Sequence, residues 1–479
     1  MHRRSLIIIA IVACLVVTGV TVGVVEAQAQ GEPLLTTITP AQLLANVAQH
    51  AGDVDSISGA VTWKNDLLGL SMLSFGGQGT GDLTALLTGG SGRVWVQNGK
   101  ARFEIQGTTG DTTVIGDSSG VWVYTAGTNT ATQYTLPSKP ATQNGEQTTT
   151  TQSTPTTVTD PVAAINGVIQ KLAPDATLTV GDSVKVAGQS CYVLTLTPKA
   201  TNTVFGSVQV AIDSKTFIPL SVSVYSKGTT DPVLSARFTS VSYSTVGDSI
   251  FAFTPPPTAT VEHKTLTLPA GLTGSAGMTG QKDTGADASG TVAPEQTTLT
   301  LAEAATQAGF TPLAAQTTDP ALAFVGASVI PAQQVDLQSL LAKLQSSGLG
   351  SVGAGIFGSD TSTTGSGAQP SASSPPETLP SSLTSGPVTL GPTVILRYGQ
   401  GFGTVVLVEA KVPTDVSAQL EQTLAAVPLI SRTTVGGLTI YQFSTSLGSI
   451  ALWEKDGVAF VAAGSVSQTD LGGFISSVR

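Results

Sequence analysis

The sequence predicts an α+β fold: an open, strongly curved antiparallel β half-barrel with a helical lid, followed by a smaller α+β domain. Three observations predict it. Short apolar–polar alternations recur through the first half of the 479-residue chain. Amphipathic segments of helical period are few and stand ahead of runs of strands. A long Pro/Thr/Gly-rich tract divides the two halves. Alternation at period two means a sheet with one wet and one dry face, and the dry face needs a cover.

The first domain opens with a helix. Thr39 suits the cap, Pro40 the first helical position, and Leu43, Leu44 and Val47 share a face. Val94 and Val96 then alternate against Arg93, Trp95 and Gln97, and Asn98-Gly99 makes a tight hairpin because both tolerate positive φ. Ala101, Phe103 and Ile105 form the return strand, and further strands are expected near 112–115, 121–125 and 132–136. A second helix opens at Asp160-Pro161 with Val162, Ile165, Ile169 and Leu172 in one stripe. Strands resume at 184–186, 192–196, 208–212, 221–224, 234–238 and 251–253.

The second domain begins near Leu299. Thr300-Leu301-Ala302-Glu303 is a capping box for a short helix stopped by Gly309 and Pro312. A helical pattern follows at Val335–Leu344, strands at 394–398 and 405–410, and a helix near 416–425. Strands at 440–443, 450–453 and 458–461 and a final helix capped by Ser467 complete a mostly antiparallel α+β unit. The division expected is a leader at 1–29, a first domain at 34–258 with an insertion at 138–159, a linker at 259–296, and a second domain at 297–479 with an insertion at 359–386. The two insertions and the linker are rich in Ser, Thr, Gly, Pro or Gln and bury too little apolar surface to offset the entropy of ordering.

The leader has a basic start (His2, Arg3, Arg4), an apolar run from Leu6 to Val25, and Ala27-Gln28-Ala29 after it. These are the three parts of a secretory signal peptide. The run of about 20 residues also suffices for a signal-anchor, and Ile11-Val12-Ala13-Cys14 fits a lipobox. All three readings place the rest of the chain outside the cytoplasm, secreted or held on the outer face of the membrane. Losing residues 1–29 removes Arg3, Arg4 and Glu26, taking the net charge from −10 to −11. Such a surface repels phosphate, and no basic patch is present, so nucleic acid is not an expected partner. Cys14 lies in the leader, which leaves Cys191 alone and no internal disulfide.

Four features of the sequence could carry chemistry. His50 and His263 stand in no metal-ligand spacing, so no metal or other cofactor is expected. Gly116-Asp117-Ser118-Ser119-Gly120 matches the G-x-S-x-G pattern, but strands are expected on both sides, where a nucleophile elbow needs a strand turning into a helix. Gly353-Ala354-Gly355-Ile356-Phe357-Gly358 lacks the strand–turn–helix setting of a dinucleotide loop. Cys191 alternates with Val193 on a strand and reads as a buried apolar residue. No acid–base or nucleophile set assembles, and the chain does not read as an enzyme.

Several segments then carry a resemblance: Cys191-Tyr192-Val193-Leu194-Thr195-Leu196-Thr197-Pro198, Ala211-Ile212-Asp213 through Ile218-Pro219-Leu220, and Phe251-Ala252-Phe253-Thr254-Pro255. With the helix that follows the leader and the two strand series joined by a helix, they resemble the lipoprotein-carrier superfamily (LolA-like), which includes sigma-factor regulators of the MucB/RseB type. The resemblance covers roughly Leu35 to Val261. It implies an open barrel of about eleven strands with a helical lid over an apolar cavity that binds acyl chains or lipoproteins. Residues 387–479, through Trp453-Glu454-Lys455-Asp456-Gly457-Val458, resemble an uncharacterised domain that follows such modules in Gram-positive bacteria. The Thr-rich insertion and the second domain depart from the carriers, and no family arginine has a match, so no family site residue is transferred.

The expected function is that of an exported, non-catalytic envelope protein binding lipid acyl chains or lipoproteins. Val94, Val96, Phe103, Ile105, Leu194, Leu196, Val208, Val210, Val222, Val224 and Phe238 are expected to line the cavity. The apolar stretch holding Leu70, Met72 and Phe75 is a candidate lid, or equally a plain buried element. The alternatives are an envelope-stress or sigma-factor regulatory protein with a membrane-protein partner, and a wall-associated protein whose own side chains fill the cavity.

Overall fold

The computed structural model describes residues 35–50, 52–67, 89–107, 110–117, 120–135, 167, 169–265, 298–335, 388–412, 424 and 430–479. The leader, the candidate lid residues Leu70, Met72 and Phe75, and the glycine-rich 353–358 segment lie outside the described residues, as does most of each of the expected helices at 160–172 and 416–425. Of the former, residues 167 and 169–172 are helical.

The first helix, α1 (Pro40–His50), starts as expected. Gln42 N donates to Thr39 Oγ1 at 3.2 Å and Thr39 N donates to Gln42 Oε1 at 3.0 Å, a reciprocal cap. Twelve strands then build one sheet: β1 (Ser56–Asn65), β2 (Gly89–Gln97), β3 (Lys100–Ile105), β4 (Thr112–Gly116), β5 (Gly120–Thr125), β6 (Thr130–Thr135), β7 (Ala176–Val186), β8 (Gln189–Pro198), β9 (Phe205–Asp213), β10 (Pro219–Ser226), β11 (Leu234–Ser242) and β12 (Thr260–Thr265). Their order is β12-β6-β5-β4-β3-β2-β1-β11-β10-β9-β8-β7, with β7 and β12 as the two ends, so the sheet is open. The turn between β2 and β3 has Asn98 at φ 52° and Gly99 at φ 77°, as its sequence requires.

Bulges coil the sheet. The register shifts at Ala60/Val61, between Gly181 and Val184, and between Pro219 and Ser221, and each added residue sharpens the local right-handed twist. At one end β7 curls back until it touches β11. There Asp213, almost fully buried, accepts from Tyr243 Oη at 2.7 Å, Thr216 Oγ1 at 2.9 Å and Lys215 N at 3.0 Å. These bonds tie the β9–β10 turn to the end of β11.

Four expectations change. Among the described residues the sheet has twelve strands, not eleven, and it is mixed, because β12 pairs parallel to β6. β12 lies within the stretch read as linker. The strand expected at 251–253 is a 3₁₀ turn, Asp248–Phe251, followed by extended chain. Its alternating aromatics lie against the sheet: Phe253 packs on Trp122 and Tyr124 at ring separations of 5.6 and 5.8 Å. β1 was not expected, and it carries the largest fully buried side chain, Trp63. The indole occupies the space left by two glycines of β2. A Cβ on Gly90 would stand 2.9 Å from the Trp63 ring, and one on Gly92 would stand 2.3 Å from the Glu104 carbonyl oxygen.

Among the described residues the second unit is built on a seven-stranded antiparallel sheet with helices at 301–308 and 468–476. Its elements are α2 (Leu301–Ala308), β13 (Phe324–Ile330), the short pair β14 (Gln333–Val335) and β15 (Val388–Leu390), β16 (Thr393–Tyr398), β17 (Val405–Lys411), β18 (Ser431–Val435), β19 (Leu438–Thr445), β20 (Gly448–Lys455), β21 (Val458–Gly464) and α3 (Gln468–Ser476). The order is β13-β16-β17-β21-β20-β19-β18. The capping box at Thr300 and Glu303 is complete, and Gly309 ends α2 in the left-handed region at φ 68°. Val335, read as the start of a helix, pairs as a strand with Val388. Ala304, Ala308, Leu471 and Phe474 of the two helices join Leu396, Tyr398, Leu407 and Phe460 of the sheet in one core.

The two units touch. Val204 N donates to Ser465 O at 2.8 Å, Asn202 Nδ2 to Gly403 O at 3.0 Å, and Ser446 N to Leu67 O at 3.1 Å. Phe205 stacks on Phe402 at 5.2 Å.

Candidate functional site

In an antiparallel ladder, paired residues point to the same side, so the register assigns every strand residue to a face. Leu194 pairs with Val210, Val210 with Val222, Val222 with Ala236, and Ala236 with Trp63. In the next row Leu196, Val208, Val224, Leu234 and Asn65 follow one another across the same strands. Val61 faces Phe238, Ile57 faces Val96, and Val94 faces Phe103, with Ile105 two residues on. All eleven residues expected to line a cavity therefore share one face of the sheet. The same face receives α1, whose Leu43 packs with Tyr192, Leu194 and Ile212.

Burial splits the set. Val94, Val96, Ile105, Leu194, Val222 and Val224 are buried, whereas Phe103, Leu196, Val208, Val210 and Phe238 are half-buried. The seam between β1, β10 and β11 holds an apolar cavity of about 30 Å³, lined among others by Val61, Trp63, Leu220, Val222, Ala236 and Phe238. That is room for about one water, where small-molecule sites enclose roughly 300–1,000 Å³. Of the expected residues only Val222 and Phe238 line it. Val61, Trp63 and Leu220 were missed. The signal for the first two was the alternation Ile57, Gly59, Val61, Trp63, weakened by a glycine in one apolar slot. Leu220 stands at a bulge, where period two fails.

Among the described residues Arg237 is the charged residue that borders this seam, and its pairing with Ser221 and Thr62 directs its side chain to the opposite face. Cys191 is fully buried, and desolvation followed by the Asp213 charge pushes its thiol up to about 12, so it stays protonated and unreactive. Gly116 ends β4 and Gly120 opens β5, with Asp117 N donating to Gly120 O at 3.1 Å, so the G-x-S-x-G match lies between two paired strands and not between a strand and a helix. Among the described residues no three His, Cys, Asp or Glu side chains are grouped to hold a metal ion.

The second unit holds one buried acid. Glu409 on β17 is 1% exposed, accepts from Leu313 N at 2.9 Å through Oε2, and has no hydrogen-bond partner at Oε1. Desolvation pushes its carboxyl up to about 7. Beside it Tyr398 Oη accepts from Ala315 N at 2.9 Å, so two buried side chains hold the 313–315 segment to the sheet.

A cleft of about 670 Å³ separates the two units. Asp175, Lys199 and Asn202 border it on one side, and Phe324, Val325 and Gln400 on the other. Phe324 and Val325 are 39% and 43% exposed, on a strand at the end of the second sheet. No helix among the described residues is long and apolar enough to cross a membrane.

No protein-family model matches the chain, and no curated protein matches it. Among solved structures, the chain is similar to MucB of Pseudomonas aeruginosa, determined in complex with MucA, at 12% identity over 92% of this chain and 98% of that one, with a TM-score of 0.34. It is also similar to a LolA superfamily protein from Nitrosomonas europaea, at 12% identity over 45% of this chain and 99% of that one, TM-score 0.18. A third is an outer-membrane lipoprotein-sorting domain from Vibrio parahaemolyticus, at 10% identity over 44% and 95% of the two chains, TM-score 0.16. The fold among the described residues is an open curved sheet with a covering helix and a second, smaller α+β unit.

Proposed function

We propose that this chain is an exported, non-catalytic envelope protein that holds acyl chains of lipids or lipoproteins against the helix-covered face of its twelve-stranded sheet. One observation supports the reading above others: Phe103, Leu196, Val208, Val210 and Phe238 share that face and are only half-buried. Each methylene laid against such a surface gains about 0.8 kcal/mol. The small seam between β1, β10 and β11 is then a point of entry, and occupancy requires it to widen. Selection among lipids is loose, since the charged residue bordering the seam, Arg237, belongs by register to the opposite face.

Phe238→Asp is the direct test, because it sets a carboxylate among the chains. Uptake of a fluorescent fatty acid is expected to fall about tenfold or more, with Thr239→Asp, one residue on and exposed, unchanged. Equal uptake by wild type and Phe238→Asp would place the ligand elsewhere.

The interdomain cleft favours a second reading, an envelope-stress or sigma-factor regulatory protein with a membrane-protein partner. A cleft of about 670 Å³ with exposed Phe324 and Val325 suits an extended segment of another chain. Pull-down from membranes is then expected to recover one stoichiometric protein, lost with Phe324→Asp. Recovery of lipid without any protein would exclude this reading.

A further inference from the structure

Glu409, the buried acid of the second unit, lies against a short run of chain whose hydrogen bonds alternate. The amides of Leu313 and Ala315 donate inward, to Glu409 Oε2 and Tyr398 Oη, both at 2.9 Å. Those of Ala314 and Gln316 donate the other way, to Arg479 O at 3.2 Å and Ser477 O at 2.8 Å. Arg479 N donates back to Ala314 O at 3.1 Å. Residues 313–316 are therefore a strap, tied on one side to two buried side chains and on the other to residues 477–479. Leu313, Ala314 and Ala315 are only half-buried, so the strap is part of the surface over a fully buried carboxyl group.

That carboxyl group is poorly provided for as an anion. Leu313 N donates to Oε2, and Oε1 has no partner. Its cross-strand neighbours, Val394 and Phe460, are apolar. Among the described residues, the titratable or charged groups on the elements around it are Tyr398 of β16, Lys411 of β17, Lys455 of β20, Glu303 of α2, Asp470 of α3 and Arg479. Lys411 Nζ lies over the Phe310 ring, 5.4 Å from its centroid, while Glu303 and Asp470 are held in the caps of their own helices. An ionised Glu409 thus loses its hydration for a single hydrogen bond, and burial pushes the group up to about 7.

We propose that Glu409 is a pH-sensitive latch on the 313–316 strap: protonated, it keeps the strap closed, and ionised, it drives the strap open so that water reaches the carboxylate. The sheet itself stays paired, because the ladders β16–β17 and β17–β21 do not involve the strap. In the closed state the carboxyl holds its proton up to about pH 7, and in the open, hydrated state only to its ordinary 4.5. Opening therefore releases a proton. Its equilibrium constant rises by up to about tenfold per pH unit between those values and levels off above them. Opening also bares Leu313 and Val478, which pack against the core of the second unit, so this apolar surface is offered only at the higher pH. The latch rests on neither the lipid reading nor the cleft reading.

Hydrogen exchange of the full-length protein at about pH 5 and about pH 8, corrected for the intrinsic pH dependence of amide exchange, reads the strap directly. Protection across 313–316 and 477–479 is expected to fall about tenfold or more at the higher pH, with β16, β17 and β21 changing far less. In Glu409→Gln, which cannot ionise, the strap is expected to stay protected at both pH values. Tyr398→Phe removes the acceptor for Ala315 N and keeps the ring. It should weaken protection at both pH values and preserve the fall, so it carries the test if Glu409→Gln fails to fold. Equal strap protection at the two pH values would overturn the proposal. So would a loss spread evenly over the second sheet, or a fall that persists in a folded Glu409→Gln.

Discussion

Trp63→Ala is expected to destabilise the first domain by about 3–5 kcal/mol, the cost of emptying a large aromatic site that cannot collapse. Collapse is blocked on the β2 side, where Gly90 and Gly92 have no side chain to move into the gap. It is blocked on the other by Val61, Leu220 and Phe238, whose positions are set by strand pairing and a bulge. Urea unfolding followed by amide hydrogen exchange in β1 and β2 measures the loss. Exchange is the better readout because two units need not unfold together. A cost below about 1 kcal/mol would mean that the indole is not packed as described.

Glu409 gives the second large effect. Its folded pKa of about 7 stands above the ordinary 4.5, because burial penalises the carboxylate. The sign follows: the fold prefers the protonated form, so the unfolded chain loses its proton first as pH rises. Stability is fully present below pH 4.5, falls between 4.5 and about 7, and stays low above. A shift of this size corresponds to roughly 2–4 kcal/mol. Glu409→Gln keeps an acceptor for Leu313 N and cannot ionise. It is expected to abolish the pH dependence between pH 4.5 and 7.5 and to raise stability at the upper end. The gain is reduced by an amide nitrogen that inherits the unpartnered Oε1 position. A wild-type second domain equally stable at both ends of that range would contradict the burial argument.

Much of the large sheet was legible in the sequence, for local reasons. Val208, Val210 and Ile212 against Ser207 and Gln209 identify both a strand and its dry face, and Asn98-Gly99 identifies the turn by its backbone needs. The eleven residues chosen by that rule do share a face. Local pattern says less about depth. Val94 and Val96 are buried under Trp63 and its neighbours, while Val208 and Val210 stay half-buried, because the cover comes from distant chain.

What was missed depends on contacts far apart in sequence. β12 pairs with β6 across 130 residues and in the parallel sense. Phe251 and Phe253 alternate like a strand, yet Phe251 closes a 3₁₀ turn and Phe253 packs on Trp122 and Tyr124 of β5, a contact set by distant chain. Glu409 is the sharpest case. In Val405-Val406-Leu407-Val408-Glu409-Ala410 both faces read as apolar, so nothing local tells which face is buried. The fold puts the glutamate inward with Leu407. The apolar seam between β1, β10 and β11 was out of reach for a similar reason, since Leu220 enters it through a bulge.

Native mass spectrometry of the purified full-length protein tests the lipid-binding proposal most directly. Mass shifts of co-purifying acyl lipid, released on denaturation and restored by added fatty acid, are the predicted result. A single unliganded mass that fatty acid does not shift would contradict it and leave the helix-covered face a core sealed by its own side chains.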